Sequence, residues 1–197
     1  MSTAAARMPA AERRRAIVEA ATRVFSSGSY AGATTAEIAR EAGISEPILY
    51  RHFGSKRDLW FACLDAAWEE AQHALEQLIE QVSASDATDR TKARSPWKKA
   101  VMPNLWIQGV IGAGEDAEIR KRVRTHMREV HDYVADLVRQ QQEAGRVPQD
   151  RDANAEAWIF VAGGLLRSFA DRLGGVLTDA DLAAIGRERR RWLSGAT

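Results

Sequence analysis

The sequence predicts an all-α protein built from two units, a front helix-turn-helix unit over residues 1–57 and a longer helical bundle over residues 58–197. Three observations carry this. Apolar residues recur at spacings of three and four along almost every apolar stretch, Ser/Thr-x-x-Glu/Asp signatures precede several of those stretches, and Gly or Pro punctuates the ends. With 197 residues, 45% hydrophobic and 28% charged, the chain has the composition of an ordinary soluble globular protein. Cys63 is the single cysteine, which excludes an intrachain disulfide and a cysteine metal cluster and fits a reducing, cytoplasmic setting. The N-terminal stretch carries charges every few residues, unlike a secretion signal, and the longest apolar run, Ala157 to Leu166, is about half of the roughly 20 residues that span a bilayer. No membrane partner is expected. Residues 1–57 hold nine Lys or Arg against five Glu, a net charge of +4, which leaves −3 for the rest of a chain whose total is +1. A basic front suits a polyanion.

The first helix is read from Ala10 to Ser26, with Ile17, Ala20, Ala21, Val24 and Phe25 on one face and Pro9 at its start. Gly28 and Gly32 turn the chain. A second helix opens at Thr34-Thr35-Ala36-Glu37, where the Thr34 hydroxyl can cap free amides and Glu37 can answer it. Ile38, Ala39 and Ala42 form its inner face, and Gly43 stands where a helix ends in a left-handed residue. A third helix follows at once, with Ser45 as the expected cap and Pro47 in the first turn, where a missing amide hydrogen costs nothing. Ile44, Leu49 and Phe53 hold it to its neighbours, and Glu46, Pro47, Tyr50 and Arg51 are its expected outward face. Small Ala39 four residues before Gly43 permits a close, near-perpendicular crossing, so that the later helix can enter a DNA major groove while the earlier one lies across the backbone. Ser55-Lys56-Arg57-Asp58 caps the next helix. Arg13, Arg14 and Arg15 read as a solvated helix face.

The segment TTAEIAREAGISEPILYRHFGSKRDLW, preceded by ATRVF and Gly-Ser-Tyr, resembles the DNA-binding domain of TetR-type bacterial transcriptional regulators across the front third of the chain. That resemblance implies a homodimeric, all-helical regulator, usually a repressor, whose C-terminal domain binds a small molecule and thereby releases a pseudopalindromic operator. It also implies that Thr35 with its neighbour Ala36, Tyr50, His52 and Lys56 lie against DNA phosphates, and that Ser45, Glu46, Pro47 and Ile48 form the base-reading part. Glu46 and Ile48 depart from the residue types usual there; a glutamate can accept from cytosine N4 and an isoleucine can meet a thymine methyl.

In the back unit a long helix from Asp58 to Val82 carries Leu64, Trp68, Ala71, Leu75, Leu78 and Val82 as one stripe, followed by a polar loop, Ser83 to Pro96. Helix resumes from Trp97 to Ile111, kinked or split at Pro103 and ended by Gly109, Gly112 and Gly114. A long helix from Glu115 to Glu143 has Ile119, Val123, Met127, Val130, Val134 and Leu137 on its inner face. After a stop at Ala144 to Pro148, the helix from Asp152 to Leu173 contains AWIFVAGGLL, apolar on every side and therefore expected to be covered on every side, with Gly163 and Gly164 admitting a close neighbour. A cap at Thr178 to Asp181 opens the last helix. The last two helices resemble the four-helix dimer interface of the family, and Ala162, Leu165, Phe169, Leu182, Ile185 and Trp192 are the expected interface residues. Trp68, Met102, Trp106, Met127 and Trp158 are the candidate walls of an apolar ligand pocket.

His126, Glu129 and His131 invite a metal reading, but two histidines five apart point about 140° from each other on a helix, so no metal is expected. No cofactor is expected either. The chain carries no nucleophile elbow, Gly-rich phosphate loop or carboxylate pair, which argues against an enzyme. A ligand-released repressor is the favoured expectation; the alternative is a DNA-bound factor that works by contacting another protein, with no small-molecule ligand.

Overall fold

Capping chemistry sets most of the helix boundaries. The computed structural model describes residues 9–84, 101–112 and 116–195, and over these residues the chain forms eight helices and no strand. They are α1 (Ala10–Ser27), α2 (Thr35–Glu41), α3 (Glu46–His52), α4 (Lys56–Ala84), α5 (Val101–Gly112), α6 (Ala117–Glu143), α7 (Ala153–Leu173) and α8 (Asp179–Ser194). The Thr34 hydroxyl accepts from the Glu37 amide at 3.1 Å, and Ser55 does the same for Asp58 at 3.0 Å. Asp116 and Asp152 cap α6 and α7 through a side-chain oxygen that takes two amides each. Thr178 and Asp181 make a complete, reciprocal capping box at α8. Ser45 occupies the cap position of α3 without a side-chain bond; Pro47 already fixes that first turn and removes one free amide.

Three expectations about the back unit are corrected. Pro103 does not split its helix: over the described residues α5 is continuous from Val101 through Pro103 to Gly112. Gly109 does not end α5 but sits inside it, because a Cβ there would lie 2.5 Å from the Trp60 ring and 2.9 Å from Val123. The bare backbone lets α5 approach α4 and α6 this closely. The AWIFVAGGLL segment is not covered on every side within one chain: Trp158, Ile159 and Leu166 are half exposed. Trp97, Gly114 and most of the expected polar loop lie outside the described residues.

One apolar cluster joins the two units. It runs from Ile17, Phe25, Ile38, Leu49 and Phe53 through Trp60 and Leu64 to Met102, Trp106, Ile119, Val130 and Val161. Truncating a fully buried member such as Leu49 to Ala should cost about 2–5 kcal/mol. Polar groups stitch the same junction. Asn104 Nδ2 donates to the Ser26 carbonyl at 3.1 Å and Gln108 Nε2 to the Gly28 carbonyl at 2.6 Å, so α5 satisfies carbonyls left free at the end of α1. Arg57 meets Asp116 at 3.5 Å, linking the first turn of α4 to the cap of α6. Among the described residues no helix is long and apolar enough to cross a membrane.

Candidate nucleic-acid interface

The turn between α2 and α3 closes as the sequence predicts. Gly43 has φ +66°, its amide donates to the Arg40 carbonyl, and the Ile44 amide donates to the Ala39 carbonyl at 2.9 Å. This fixes α3 across α2 with Leu49 and Phe53 buried beneath it. At about 100° per residue the opposite, solvent side of α3 is centred near Pro47 and Arg51. Glu46 and Tyr50 form one flank of that side, and Ser45, Ile48 and Arg51 form the other.

On the first flank Tyr50 is 48% exposed and its hydroxyl lies 3.1 Å from Thr35 Oγ1. Thr35 Oγ1 also bonds to the Glu46 carboxylate. A carboxylate can only accept, so the single Thr35 proton goes to Glu46 and Tyr50 is the donor to Thr35. Tyr50, Thr35 and Glu46 thus form one hydrogen-bonded line from α3 to the start of α2 and back to α3. Glu46 was expected on the outward face, but it is half-buried and turned to Thr35. Ala36 is exposed in the first turn of α2 beside Thr35, and His52, at the end of α3, is half-buried.

Lys56 is turned inward as well. Its Nζ donates to the Ala33 carbonyl at 2.7 Å and to the Ala31 carbonyl at 3.4 Å, and stands 4.6 Å from the Tyr30 ring centre. Burial pulls its pKa below the ordinary lysine value. The lysine staples the loop before α2 to the start of α4.

The second flank borders a groove of about 580 Å³ lined by Arg13, Arg40, Gly43, Ile44, Ser45, Ile48 and Arg51. Arg13 and Arg40 come from α1 and α2, and no local pattern places them beside α3, because the three helices meet here only through tertiary packing. The periodic signal that was available is the Ser45, Ile48, Arg51 spacing of three.

The candidate ligand residues do not form one group. Met102 and Trp106 are closed into the core, with Trp68 and Met127 packed partly buried against it, whereas Trp158 lies half exposed on α7 against His131. Trp106 Nε1 donates to His126 Nδ1 at 3.0 Å, and since an indole can only donate, the His126 proton sits on Nε2. That N–H is buried without a well-formed partner, with only a weak pull from the Leu64 carbonyl. Burial, then the Arg122 charge, push the His126 pKa down to about 4. His131 instead bonds Asp132 and the Asn154 carbonyl, so the two histidines serve separate neighbours. Among the expected interface residues Phe169, Ile185 and Trp192 are half exposed, Ala162 is open, Leu182 is partly buried, and Leu165 packs partly on the core. Missed from sequence was Glu156, buried on α7, whose carboxylate holds Arg189 and accepts from Trp192 Nε1 at 2.7 Å, tying α8 to α7.

Residues 17–63 match the family model of bacterial regulatory proteins of the tetR family. The chain is 47% identical over 58 residues to the HTH-type transcriptional activator FasR of Mycolicibacterium smegmatis, covering 29% of this chain and 26% of that protein. It is 41% identical over 69 residues to the nucleoid occlusion factor SlmA of Marinobacter nauticus, covering 35% of each. The chain therefore spans only about a quarter to a third of the length of these curated relatives. Over nearly its whole length it is similar in fold to a crystal structure ascribed to a TetR-family transcriptional regulator from Rhodococcus sp., with a TM-score of 0.74, 20% identity, and 93% of this chain and 99% of that one covered.

Proposed function

We propose that the chain is a TetR-type bacterial transcriptional regulator, a reading supported by the match of residues 17–63 to that family's model, and that it is a cytoplasmic homodimeric repressor that binds a pseudopalindromic operator and leaves it when a small, largely apolar ligand binds residues 58–197. The observation that carries the DNA-binding part is the α2–Gly43–α3 turn, which holds Pro47, Tyr50 and Arg51 on the solvent side of a helix whose other side is buried. Such a helix enters the major groove, with Ser45 to Ile48 nearest the bases and Thr35, Ala36, Tyr50, His52 and Lys56 towards the backbone.

Homodimerisation is supported by the exposed apolar side chains of α7 and α8, and by the short reach of one recognition helix, which needs a two-fold partner to read a second half-site. A ligand is supported by Trp60 Nε1, a buried donor without a hydrogen-bond partner among the described residues. Because α4 runs without a break from Lys56 to Ala84 and its first turn meets the α6 cap, a ligand that favours a different seating of α4 would alter the separation of the two α3 helices.

The experiment is selection of duplexes from a random pool by the purified chain, followed by anisotropy titrations with wild type and Tyr50→Ala. Wild type should enrich a two-fold symmetric sequence, and Tyr50→Ala should bind every duplex more weakly, by a similar factor on each. Failure to enrich any sequence would contradict the reading. A second reading, a DNA-bound factor that acts by contacting another protein, is favoured by the similarity to a nucleoid occlusion factor and by the closed packing of Met102 and Trp106. Release of the selected duplex by members of an apolar compound library supports the repressor reading; release by none of them, with a protein partner retained on the DNA-bound chain, supports the second.

A further inference from the structure

Seven cations of the front unit divide into partnered and unpartnered groups. Arg23 pairs with Glu41, Arg14 lies 4.5 Å from the Phe53 ring centre, Lys56 is held by two carbonyls, and Arg57 meets Asp116. Arg13, Arg40 and Arg51 border one groove from three different helices, and among the described residues their side chains take part in no hydrogen bond or ion pair. Two carboxylates of the neighbouring helices are engaged elsewhere, Glu41 by Arg23 and Glu46 by Thr35. Three guanidinium groups are thus gathered without a counter-charge beside the base-reading turn.

We infer that Arg13, Arg40 and Arg51 form a second phosphate-binding flank, which takes the backbone of the strand opposite the one approached by Tyr50. The inference rests on the DNA-binding reading of α3 and adds to it the contacts that hold the second strand. The geometry is that of a helix lying between two rails. On the face centred near Pro47 and Arg51, Tyr50 lies to one side and Ile48 to the other, with Arg51 in the half towards Ile48, and a major groove about 12 Å wide places a phosphate strand along each side of a helix lodged in it. Arginine suits the task because its planar fork can bond two phosphate oxygens at once. Ile48, which also lines the groove, has no polar side-chain atom to compete for them.

The test uses the full chain with the duplex it selects and with a scrambled duplex, in anisotropy titrations from 50 to 200 mM salt. Each of Arg13→Gln, Arg40→Gln and Arg51→Gln should reduce the salt slope by about one and shrink the affinity gained between 200 and 50 mM by about 3.5-fold, equally on both duplexes. The triple variant should shrink it by about 40-fold if the three contacts are independent, and lysine at each position should restore most of the slope. Phosphate-ethylation interference should show Arg40→Gln losing contacts on one strand and Tyr50→Phe losing them on the other. An unchanged slope in a triple variant with wild-type circular dichroism would overturn the inference while leaving the DNA-binding reading intact. A change in preference at one base pair for Arg51→Gln would overturn it too, by making that residue a base reader. If wild type itself selects no duplex, the failure belongs to the underlying reading.

Discussion

The two ends of the molecule expose opposite chemistries. Around α3 the solvent side carries Tyr50, Arg51 and an arginine-lined groove, over a base of Leu49 and Phe53 that is fully packed within one chain. On α7 and α8 the solvent side is Trp158, Ile159, Leu166, Phe169, Leu173 at 71% exposure, and Ile185. The helix-turn-helix is complete without help and turns polar groups outward, which suits the proposed anionic partner. The α7–α8 face leaves apolar side chains open along two helices, more than scattered exposure accounts for, which suits an apolar partner. The proposed second copy of the chain meets that requirement, and the Glu156–Arg189–Trp192 contacts then set the angle at which α8 is offered to it.

The sharpest way to break this contrast is to put a charge on the apolar end. Phe169→Glu should dissociate the proposed dimer and weaken operator binding by more than about 100-fold, since an unpaired buried charge costs about 3–5 kcal/mol. Sedimentation velocity would show the dissociation, and an unchanged helical circular dichroism spectrum would show that the fold persists. Dimers persisting in the variant would place the interface elsewhere.

The next effect lies in the core between the two ends. In the folded chain His126 stays neutral down to about pH 4, while an unfolded histidine takes up a proton near 6.5. The unfolded state therefore binds more protons in that window, and stability is complete above pH 6.5 and falls as the pH drops through it towards 4, by about 3 kcal/mol in all. Urea unfolding from pH 7.5 to 4.5 measures this, and His126→Gln, which can still accept from Trp106, should flatten the slope.

Smaller again is Gly109→Ala, which drives a methyl group into the Trp60 ring and should cost about 1–3 kcal/mol in thermal or urea unfolding. Because Trp60 follows directly on the helix-turn-helix, DNA affinity should fall with it. Smallest is Thr34→Ala, the loss of one cap, at about 1 kcal/mol. It should loosen α2 and weaken DNA binding while leaving the association state alone, the reverse of Phe169→Glu. Hydrogen exchange at the α2 amides would separate the two.

Legibility in the sequence follows the same divide. Thr34, Gly43, Pro47 and Ser55 act on residues within a few positions of themselves, so the front helices and their turn could be read residue by residue. What went unread depends on distant neighbours. Gly109 looked like a helix end because Trp60, the ring it accommodates, comes from another helix. Glu46 looked outward because its bond to Thr35 crosses from α3 to α2. The two carbonyl bonds of Lys56 went unseen because they belong to the loop before α2. Trp158 shares a residue type with Trp68 and Trp106 but lies half exposed on α7 against His131, outside the main apolar cluster. The segment AWIFVAGGLL announced that it needs cover, and a sequence cannot say whether the cover comes from the same chain.

The central claim is that two chains, joined through the apolar end, present two front units to one symmetric DNA site. Sedimentation equilibrium of the full chain with the duplex it selects tests this most directly. The account predicts two chains per duplex at saturation and a selected sequence with two-fold symmetry. One chain per duplex at saturation, on a site without that symmetry, would contradict it.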